Sequence, residues 1–414
     1  WYAYVEKFAG IAGNHDGLPE LPDGEFLPGY PLNIVEKYFK ESVQKKFPER
    51  KVISARCAHL SKPNQIHIEQ GRVQCQNRVL CQRGCPFGGY FSSNATTIPW
   101  AAKTGNMTLR PFSVVHSILY DEQKGKAVGV RVIDTNTKEE IDFYAKLIFV
   151  NAAAINTNLI LLNSKSNRFP NGLGNDSGVL GKYVAFHNYS ARIYAEYEGL
   201  LDFTAEGRNP AGGGYIPRFR NLHKQETDFL RGYAAGFGAS RSKESDRSGL
   251  GLDLKNNLLN PKLGVWQVGS HMMGETIPKE SGMVSLDSSK KDDWGIPLLK
   301  IAVDYDENDE KMKKDYIAVM TEMFTDAGFT NIRPDTHWQA PGLDIHEMGG
   351  ARMGHDPKTS VLNKWNQMHA VKNVFVTDGA SMTSTSTQNP SLTYMAFSAR
   401  SVDYAVSEMK KGNI

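Results

Sequence analysis

The chain has 414 residues, of which 40% are hydrophobic and 22% charged, as in an ordinary globular protein. The formal net charge is only +3 and no dense Lys/Arg block occurs, so the composition gives no indication of a nucleic-acid partner. No apolar run approaches the roughly 20 residues that a membrane-spanning helix needs, and we expect no membrane span. The length allows two or three domains, or one domain with an insertion.

The first half of the chain begins irregularly and then becomes regular. Residues 1–90 are rich in Gly, Pro and aromatic residues, with one amphipathic helical stretch, "PLNIVEKYFKESVQKKF". Further on, "MTLRPFSVVHSILYD" and "AVGVRVIDT" read as two strands. "AKLIFVNAAA" then predicts a buried strand that leads into a helix over "INTNLILLNS". This order is typical of an α/β layer.

The middle of the chain has a different pattern. Short alternating stretches such as "SARIYAEY" and "LLKIAVDY" lie among Gly-rich turns and predict an antiparallel sheet. A helix follows in "DENDEKMKKDYIAVMTEMFTDAGF", with Gly328 placed to cap its C-terminus. Its apolar face, which we expect to pack in the core, contains Met312, Tyr316, Met320, Met323 and Ala327.

The last part of the chain again has the pattern of an α/β region, with a strand and turn in "NVFVTDGAS" and a final helix in "LTYMAFSARSVDYAVSEMKKG". The fold class is therefore α/β, and α+β overall, with one domain interrupted by an antiparallel one. We expect Pro390 at the first helical position, where its missing N–H costs nothing. The free N–H groups of that helix point toward Asn389 and suit an anion. Taken alone, the feature is better explained as an ordinary capped helix.

Two further segments carry candidate chemistry. His346 lies in "DIHEMGGARMG" and can take a proton near neutral pH, although a lone His is more often a hydrogen-bonded core residue. Asp378 and Gly379 end the apolar strand in "NVFVTDGASM". Such a turn can offer backbone N–H groups and a carboxylate to a ribityl or phosphate group.

In this order, "HEMGGARMG", "VFVTDGASM" and "NPSLTYMAFSARSVDYA" closely resemble the C-terminal signature of the glucose–methanol–choline (GMC) oxidoreductases. The resemblance implies FAD and the oxidation of an alcohol or sugar by hydride transfer to flavin N5. It places the catalytic pair on His346 and Asn389, with His346 taking the hydroxyl proton. It also assigns Val115 to the adenine, Asp378 and Gly379 to the ribityl–pyrophosphate part, and the Asn389–Pro390 helix start to the flavin.

The same resemblance implies four segments. They are a loop- and helix-rich segment with a cysteine loop (1–90), part of an FAD-binding domain (91–185), an antiparallel substrate domain (186–340) and the C-terminal part of the FAD-binding domain (341–414). The family's N-terminal G-x-G-x-x-G unit is absent from these residues, so we expect weak or no FAD binding by this chain alone. Ala153, in "NAAAIN", stands where the family usually has Gly.

Four cysteines occur, and three of them form the pattern C-x5-C-x3-C-P at Cys75, Cys81 and Cys85. A Pro after the last Cys is typical of iron–sulfur ligation. The loop is similar to that of bacterial cytochrome-linked glucose dehydrogenases, which implies a 3Fe–4S cluster. The alternative is one or two disulfides in an oxidising compartment, with Cys57 as a partner.

The stretch "AGGGYIPRFRNLHKQETDFLRGYAAGFGASR" is similar to the substrate domain of bacterial glucoside dehydrogenases, whereas a solvated surface is the plain alternative. The leading hypothesis is thus a sugar or glucoside dehydrogenase with a small accessory subunit and a cytochrome c acceptor, in the periplasm. One alternative is an aliphatic or choline-type alcohol oxidoreductase of the same family. Another is a non-catalytic sugar-binding fragment.

Overall fold

The computed structural model describes residues 1–78, 81–203, 213–244, 246–336, 339–342 and 346–414. The α-helices in these ranges are α1 (Tyr2–Ala9), α2 (Ile34–Lys46), α3 (Gln65–Glu69), α4 (Thr97–Ala102), α5 (Ala154–Asn163), α6 (Gly251–Leu259), α7 (Glu307–Asp326) and α8 (Ser391–Lys410). The β-strands are β1 (Ala12–Gly13), β2 (Leu27–Pro28), β3 (Ile53–Ser54), β4 (Ser113–Asp121), β5 (Lys126–Asp134), β6 (Glu140–Tyr144), β7 (Ile148–Phe149), β8 (Lys182–Ala185), β9 (Arg192–Tyr197), β10 (Gly214–Ile216), β11 (Tyr233–Glu244), β12 (Lys262–Gly274), β13 (Met283–Lys291), β14 (Pro297–Ala302), β15 (Thr330–Asp335), β16 (Met348–Gly350) and β17 (Val374–Phe375).

The predicted antiparallel sheet is present, with six strands in the order β15-β9-β12-β11-β10-β3. Helices α2 and α7 pack against it and build one hydrophobic core with its inner face. The predicted apolar face of α7 lies in that core, because Met312, Tyr316, Met320, Met323 and Ala327 are all buried. Gly328 follows the helix with a φ of 73°, a left-handed conformation that suits glycine and ends the helix as expected.

A second core lies in the α/β part of the chain. The hairpin strands β4, β5 and β6 form one antiparallel sheet, and β7 pairs in parallel with β17. Helix α5 packs here, as the strand-to-helix pattern predicted. The pairing of β7 with β17 is the step that brings the C-terminal segment back to the first α/β segment.

A four-stranded sheet, in the order β14-β13-β8-β16, connects the two parts. It takes strands from three of the segments that the sequence analysis distinguished, and β3, from residues 1–90, pairs with β10 of the six-stranded sheet. The four segment boundaries stay a prediction. Ala211 and Gly212, at the start of the predicted sugar-binding stretch, lie outside the described residues.

Among the described residues, none of the helices combines the length and the apolar character that crossing a lipid bilayer requires.

The turn between β7 and α5 holds a strained alanine. Ala153 precedes the first residue of α5 with φ 65° and ψ 154°, a region that glycine alone adopts readily. Its side chain is exposed, so the methyl group contributes little packing. The chain therefore adopts, at Ala153, a backbone conformation that favours glycine.

We predict that Ala153→Gly stabilises the protein. Relief of the backbone strain should gain about 1–3 kcal/mol, from which the extra flexibility of glycine in the unfolded chain subtracts roughly 0.5–1 kcal/mol. The midpoint of urea unfolding should rise accordingly. The matched control is Ala152→Gly, since Ala152 is not among the positive-φ residues and should lose stability. A lower midpoint for Ala153→Gly would contradict the assignment of strain.

Candidate active site

The geometry of the site begins with the register of two short strands. β8 and β16 run antiparallel, with Met348 opposite Ala185. Two residues beyond the end of β8 is His187, and two residues before β16 is His346. Extending the same register sets these two histidines opposite each other.

The two imidazoles are directly hydrogen-bonded. Nδ1 of His187 lies 2.9 Å from Nδ1 of His346, and the ring centroids are 4.9 Å apart with the planes nearly perpendicular. On its other side, Nε2 of His187 lies 3.1 Å from the carbonyl oxygen of Ser386. His187 thus joins the predicted base to the segment that leads to Asn389.

The segment between residues 384 and 388 is held by residues in and next to the six-stranded sheet. The backbone N–H of Thr276 donates to Oγ1 of Thr385 at 3.1 Å, and Oη of Tyr215 donates to the carbonyl of Thr387 at 3.3 Å. The hydroxyl of Ser384 donates to the buried carboxylate of Glu275. These contacts fix the chain just before the predicted catalytic carboxamide.

Asn389 is exposed and Pro390 is buried at the start of α8. The helix begins at Ser391, so Pro390 is its N-cap and lies one residue earlier than predicted, with φ −88° and ψ −5°. No side chain caps this 20-residue helix. Its first-turn N–H groups and positive dipole end therefore suit an anionic group beside Asn389.

The Asp378–Gly379 turn packs against the His346 segment. Oδ2 of Asp378 accepts from Oγ1 of Thr157 at 2.6 Å, and Oδ1 accepts from the N–H of Ala380 at 3.0 Å. A Cβ at Gly379 would overlap the carbonyl oxygen of Glu347, the residue after His346. Glycine is thus required here by close approach of backbone.

The start of α8 reaches the same turn. A Cβ at Gly379 would also lie 2.9 Å from the hydroxyl of Tyr394, in the first turns of α8. The three C-terminal segments singled out in the sequence therefore meet around one turn. Val115 lies in β4 opposite Val132 and packs against the core that contains Ala380.

Burial keeps the two histidines neutral. Desolvation lowers the pKa of His187 from its usual 6.5 to about 4. Desolvation, followed by the neighbouring His187, lowers the pKa of His346 to about 3. The pKa of Asp378 is raised by burial, against the lowering effect of its hydrogen bonds.

His346 also has strained backbone. Its φ is 71°, and that of Ser386, which accepts from His187, is 57°. Non-glycine residues adopt such angles rarely and at a cost of about 1–3 kcal/mol each, and these outliers cluster at functional sites. The two strained residues lie on either side of the His187 ring.

The cysteines form a separate site. None of the four, all of which lie within the described residues, forms a disulfide, so the disulfide alternative is wrong for this structure. Cys75, Cys81 and Cys85 line one cavity of about 220 Å³, together with His59, whose Nε2 is 3.2 Å from Sγ of Cys81. Within the described ranges, no group of three or more His, Cys, Asp or Glu side chains is arranged to hold a metal ion.

The thiols of this cavity differ in acidity. Burial raises the pKa of Cys85. The backbone N–H groups of residues 87–90, foremost those of Tyr90 and Phe87, lower it by more, so the pKa of Cys85 lies below its usual value. Burial raises the pKa of Cys81. Cys85 is therefore the more readily ionised of these two.

Residues 36–187 and 278–398 match sequence models of the N- and C-terminal regions of GMC oxidoreductases. The chain belongs to the GMC oxidoreductase family. It is 31% identical over 331 residues to 2-methyl-1,2-propanediol dehydrogenase of Mycolicibacterium austroafricanum, a match that covers 78% of this chain and 58% of that protein. It is 27% identical over 352 residues to the fructose dehydrogenase large subunit of Gluconobacter japonicus, with 83% and 61% covered.

The chain thus spans about 60% of the length of these two relatives. Among solved structures, it is similar to a formate oxidase of Aspergillus oryzae, with a TM-score of 0.61 at 14% identity, over 99% of this chain and 79% of that one. That likeness confirms the mixed α/β GMC fold.

Sequence reasoning identified His346 but missed His187, Ser386 and Tyr215 as parts of this GMC site. His187 ends the stretch "GKYVAFH", which has no local pattern to distinguish it from a core histidine. Only the pairing of β8 with β16, which the sequence analysis did not predict, indicates its place. The roles of Asn389, Pro390 and Val115 in binding or catalysis stay predictions.

The neutral histidine pair predicts a specific pH dependence of stability. In the unfolded chain both imidazoles titrate near 6.5, whereas in the folded protein they titrate near 4 and 3. Between these values the unfolded state binds more protons, so the pair's contribution is complete above about pH 6.5 and is lost as pH falls. Between pH 7.5 and 5 we expect a loss of about 1–2 kcal/mol for the pair, reduced because His346 is only partly buried.

The measurement is the melting temperature against pH for the wild type and for the double variant His187→Asn/His346→Asn. The variant should lose less stability on acidification than the wild type. His355→Asn is the control, because His355 is exposed and should leave the slope unchanged. Equal slopes for wild type and double variant would show that the pair does not resist protonation.

Proposed function

We propose that this protein is an FAD-dependent dehydrogenase that oxidises a hydroxyl group of a sugar or glucoside to a ketone or lactone. One observation carries the proposal: His346 is neutral and held through Nδ1, beside a turn and a helix start suited to a cofactor. Membership of the GMC oxidoreductase family supports the reaction type. The name of the fructose dehydrogenase large subunit supports the substrate class.

The described residues fit FAD at three places. The uncapped first turn of α8 offers N–H groups to the anionic edge of a reduced flavin ring, next to Asn389. The Asp378–Gly379 turn, held by Thr157, would lie along the ribityl–pyrophosphate part, and Val115 along the adenine. FAD is modified in the formate oxidase of Aspergillus oryzae, whose fold is similar, and this supports the same cofactor here.

The chemistry divides into two transfers. Oxidation of a secondary alcohol to a ketone removes a proton from oxygen and a hydride from carbon. FAD, when bound, would supply the acceptor for the hydride. Nε2 of His346 takes the proton and becomes an imidazolium. The carboxamide of Asn389 donates a hydrogen bond to the same oxygen and holds it in place.

A second candidate is an aliphatic alcohol or diol oxidoreductase. The 31% identity to 2-methyl-1,2-propanediol dehydrogenase favours it over a choline-type substrate. A screen of the protein expressed from its full coding sequence, with sugars, glucosides and short diols and an artificial electron acceptor, separates the two. Purified protein without flavin and without turnover would favour the non-catalytic fragment.

The electron acceptor is a further part of the proposal. We infer that Cys75, Cys81 and Cys85 hold a 3Fe–4S cluster that serves an accessory subunit and a cytochrome c in the periplasm. Their three thiols share one cavity, and the net lowering of the pKa of Cys85 favours a thiolate ligand. The absence of a metal-type arrangement among the described side chains weighs against it, so we derive no electron-transfer step through these thiols.

Replacing the proposed base should nearly abolish turnover. We predict that His346→Ala lowers kcat/KM for alcohol-dependent dye reduction by roughly 10²–10⁴-fold, the contribution of a positioned general base. The matched control is His355→Ala, an exposed histidine nine residues further on, which should keep full activity. Turnover retained in His346→Ala would refute the assignment of the base.

The cysteine proposal is tested by composition. We expect purified protein to contain about three iron and four acid-labile sulfide per chain if the cluster is present. Cys81→Ser should remove both, whereas Cys57→Ala should keep them, since Cys57 does not line the cavity. Protein without iron and sulfide, purified anaerobically, would leave these residues as free thiols.

A further inference from the structure

The hydrogen bonds around His187 determine where its protons are. The carbonyl oxygen of Ser386 can only accept, so Nε2 of His187, 3.1 Å away, carries a hydrogen and donates it. A neutral imidazole has one N–H, and Nδ1 of His187 is therefore a lone-pair acceptor. The position of the hydrogen on His187 thus follows from the carbonyl oxygen that accepts it.

The 2.9 Å contact between the two Nδ1 atoms then determines which nitrogen of His346 carries the hydrogen. Because Nδ1 of His187 accepts, Nδ1 of His346 must donate. His346, when neutral, then has its lone pair on Nε2. In water the Nε2–H form of histidine is the more populated one, so this arrangement reverses the ordinary preference.

The backbone around His187 is fixed on both sides. Before it, the carbonyl of Phe186 accepts from Oγ1 of Thr276 at 2.6 Å. After it, the N–H of Asn188 donates to the carbonyl of Gly274 at 2.9 Å. The carbonyl of His187 itself accepts from the hydroxyl of Tyr305 at 3.1 Å. The imidazole thus extends from a rigid stretch of chain, as a positioning group requires.

We propose that His187 is a positioning residue that fixes the Nδ1–H tautomer of His346 and thereby leaves Nε2 of His346 open to accept the substrate's hydroxyl proton. The catalytic meaning of this inference rests on the proposed function. The tautomer itself does not, because it follows from the two hydrogen bonds of His187. His187 is buried and acts through His346.

Asparagine and leucine provide a matched pair of variants at this position. Both side chains branch at Cγ and have nearly the same shape. In His187→Asn, Oδ1 can occupy the place of Nδ1 and accept from His346. In His187→Leu, no acceptor remains, and nothing then favours the Nδ1–H form.

The direct test is nitrogen NMR of the two histidines in protein labelled with ¹⁵N at the imidazole rings, assigned with the His346→Ala variant. We expect wild-type His346 in the Nδ1–H form, the same form in His187→Asn, and a shift toward the Nε2–H form in His187→Leu. A wild-type His346 protonated on Nε2 would overturn the proposal, as would an unchanged tautomer in His187→Leu. If His187→Leu does not fold, a wild-type His346 protonated on Nε2 would still overturn the proposal.

Turnover supplies the second readout. We expect His187→Leu to lower kcat by roughly 10²-fold or more with little change in KM. In the Nε2–H tautomer, His346 is still present, but its Nε2 has no lone pair to accept the hydroxyl proton. His187→Asn should recover most of that loss. Equal losses in the two variants would also overturn the proposal, because a structural role alone would not separate them. Absence of turnover with any alcohol in the wild type would refute the proposed function and leave the NMR result to stand by itself.

Discussion

The hydrogen bond between His187 and His346 joins residues that are 159 positions apart in the chain. It forms because β8 and β16, which have four and three residues, pair antiparallel with Met348 opposite Ala185, a register that shifts before Gly350. A slip of that register by one residue would turn one imidazole to the opposite face of the sheet. The candidate site thus depends on a strand pairing that contains very few backbone hydrogen bonds.

Other contacts maintain this short pairing. The Asp378–Gly379 turn packs on the residue next to His346, and the segment before Asn389 is fixed by Thr276 and Tyr215. Two larger hydrophobic cores form under the six-stranded sheet and in the α/β part, and a small cluster of Val184, Phe186 and Val284 packs at β8 itself. The left-handed backbone at His346 and Ser386 persists because these surroundings leave the chain no alternative.

Much of the fold was predictable from local patterns, since an amphipathic helix or an alternating strand reports its own buried face. Helix α7, its buried methionines and the antiparallel sheet were predicted for that reason. The three C-terminal segments, to which the resemblance assigned the cofactor and the catalytic pair, lie next to one another around Gly379. His187 could not be found, because its role comes from a partner across the sheet. The disulfide alternative failed because cysteine spacing does not report how thiols are oriented.

The partner of His346 also determines what kind of base it can be. A carboxylate at Nδ1 would fix the same tautomer, but its negative charge would raise the pKa of His346 and favour the protonated ring. A neutral imidazole fixes the tautomer without that charge. Burial of both rings then keeps Nε2 unprotonated over the physiological pH range. The pair therefore exchanges basicity for a lone pair that stays available over the physiological pH range.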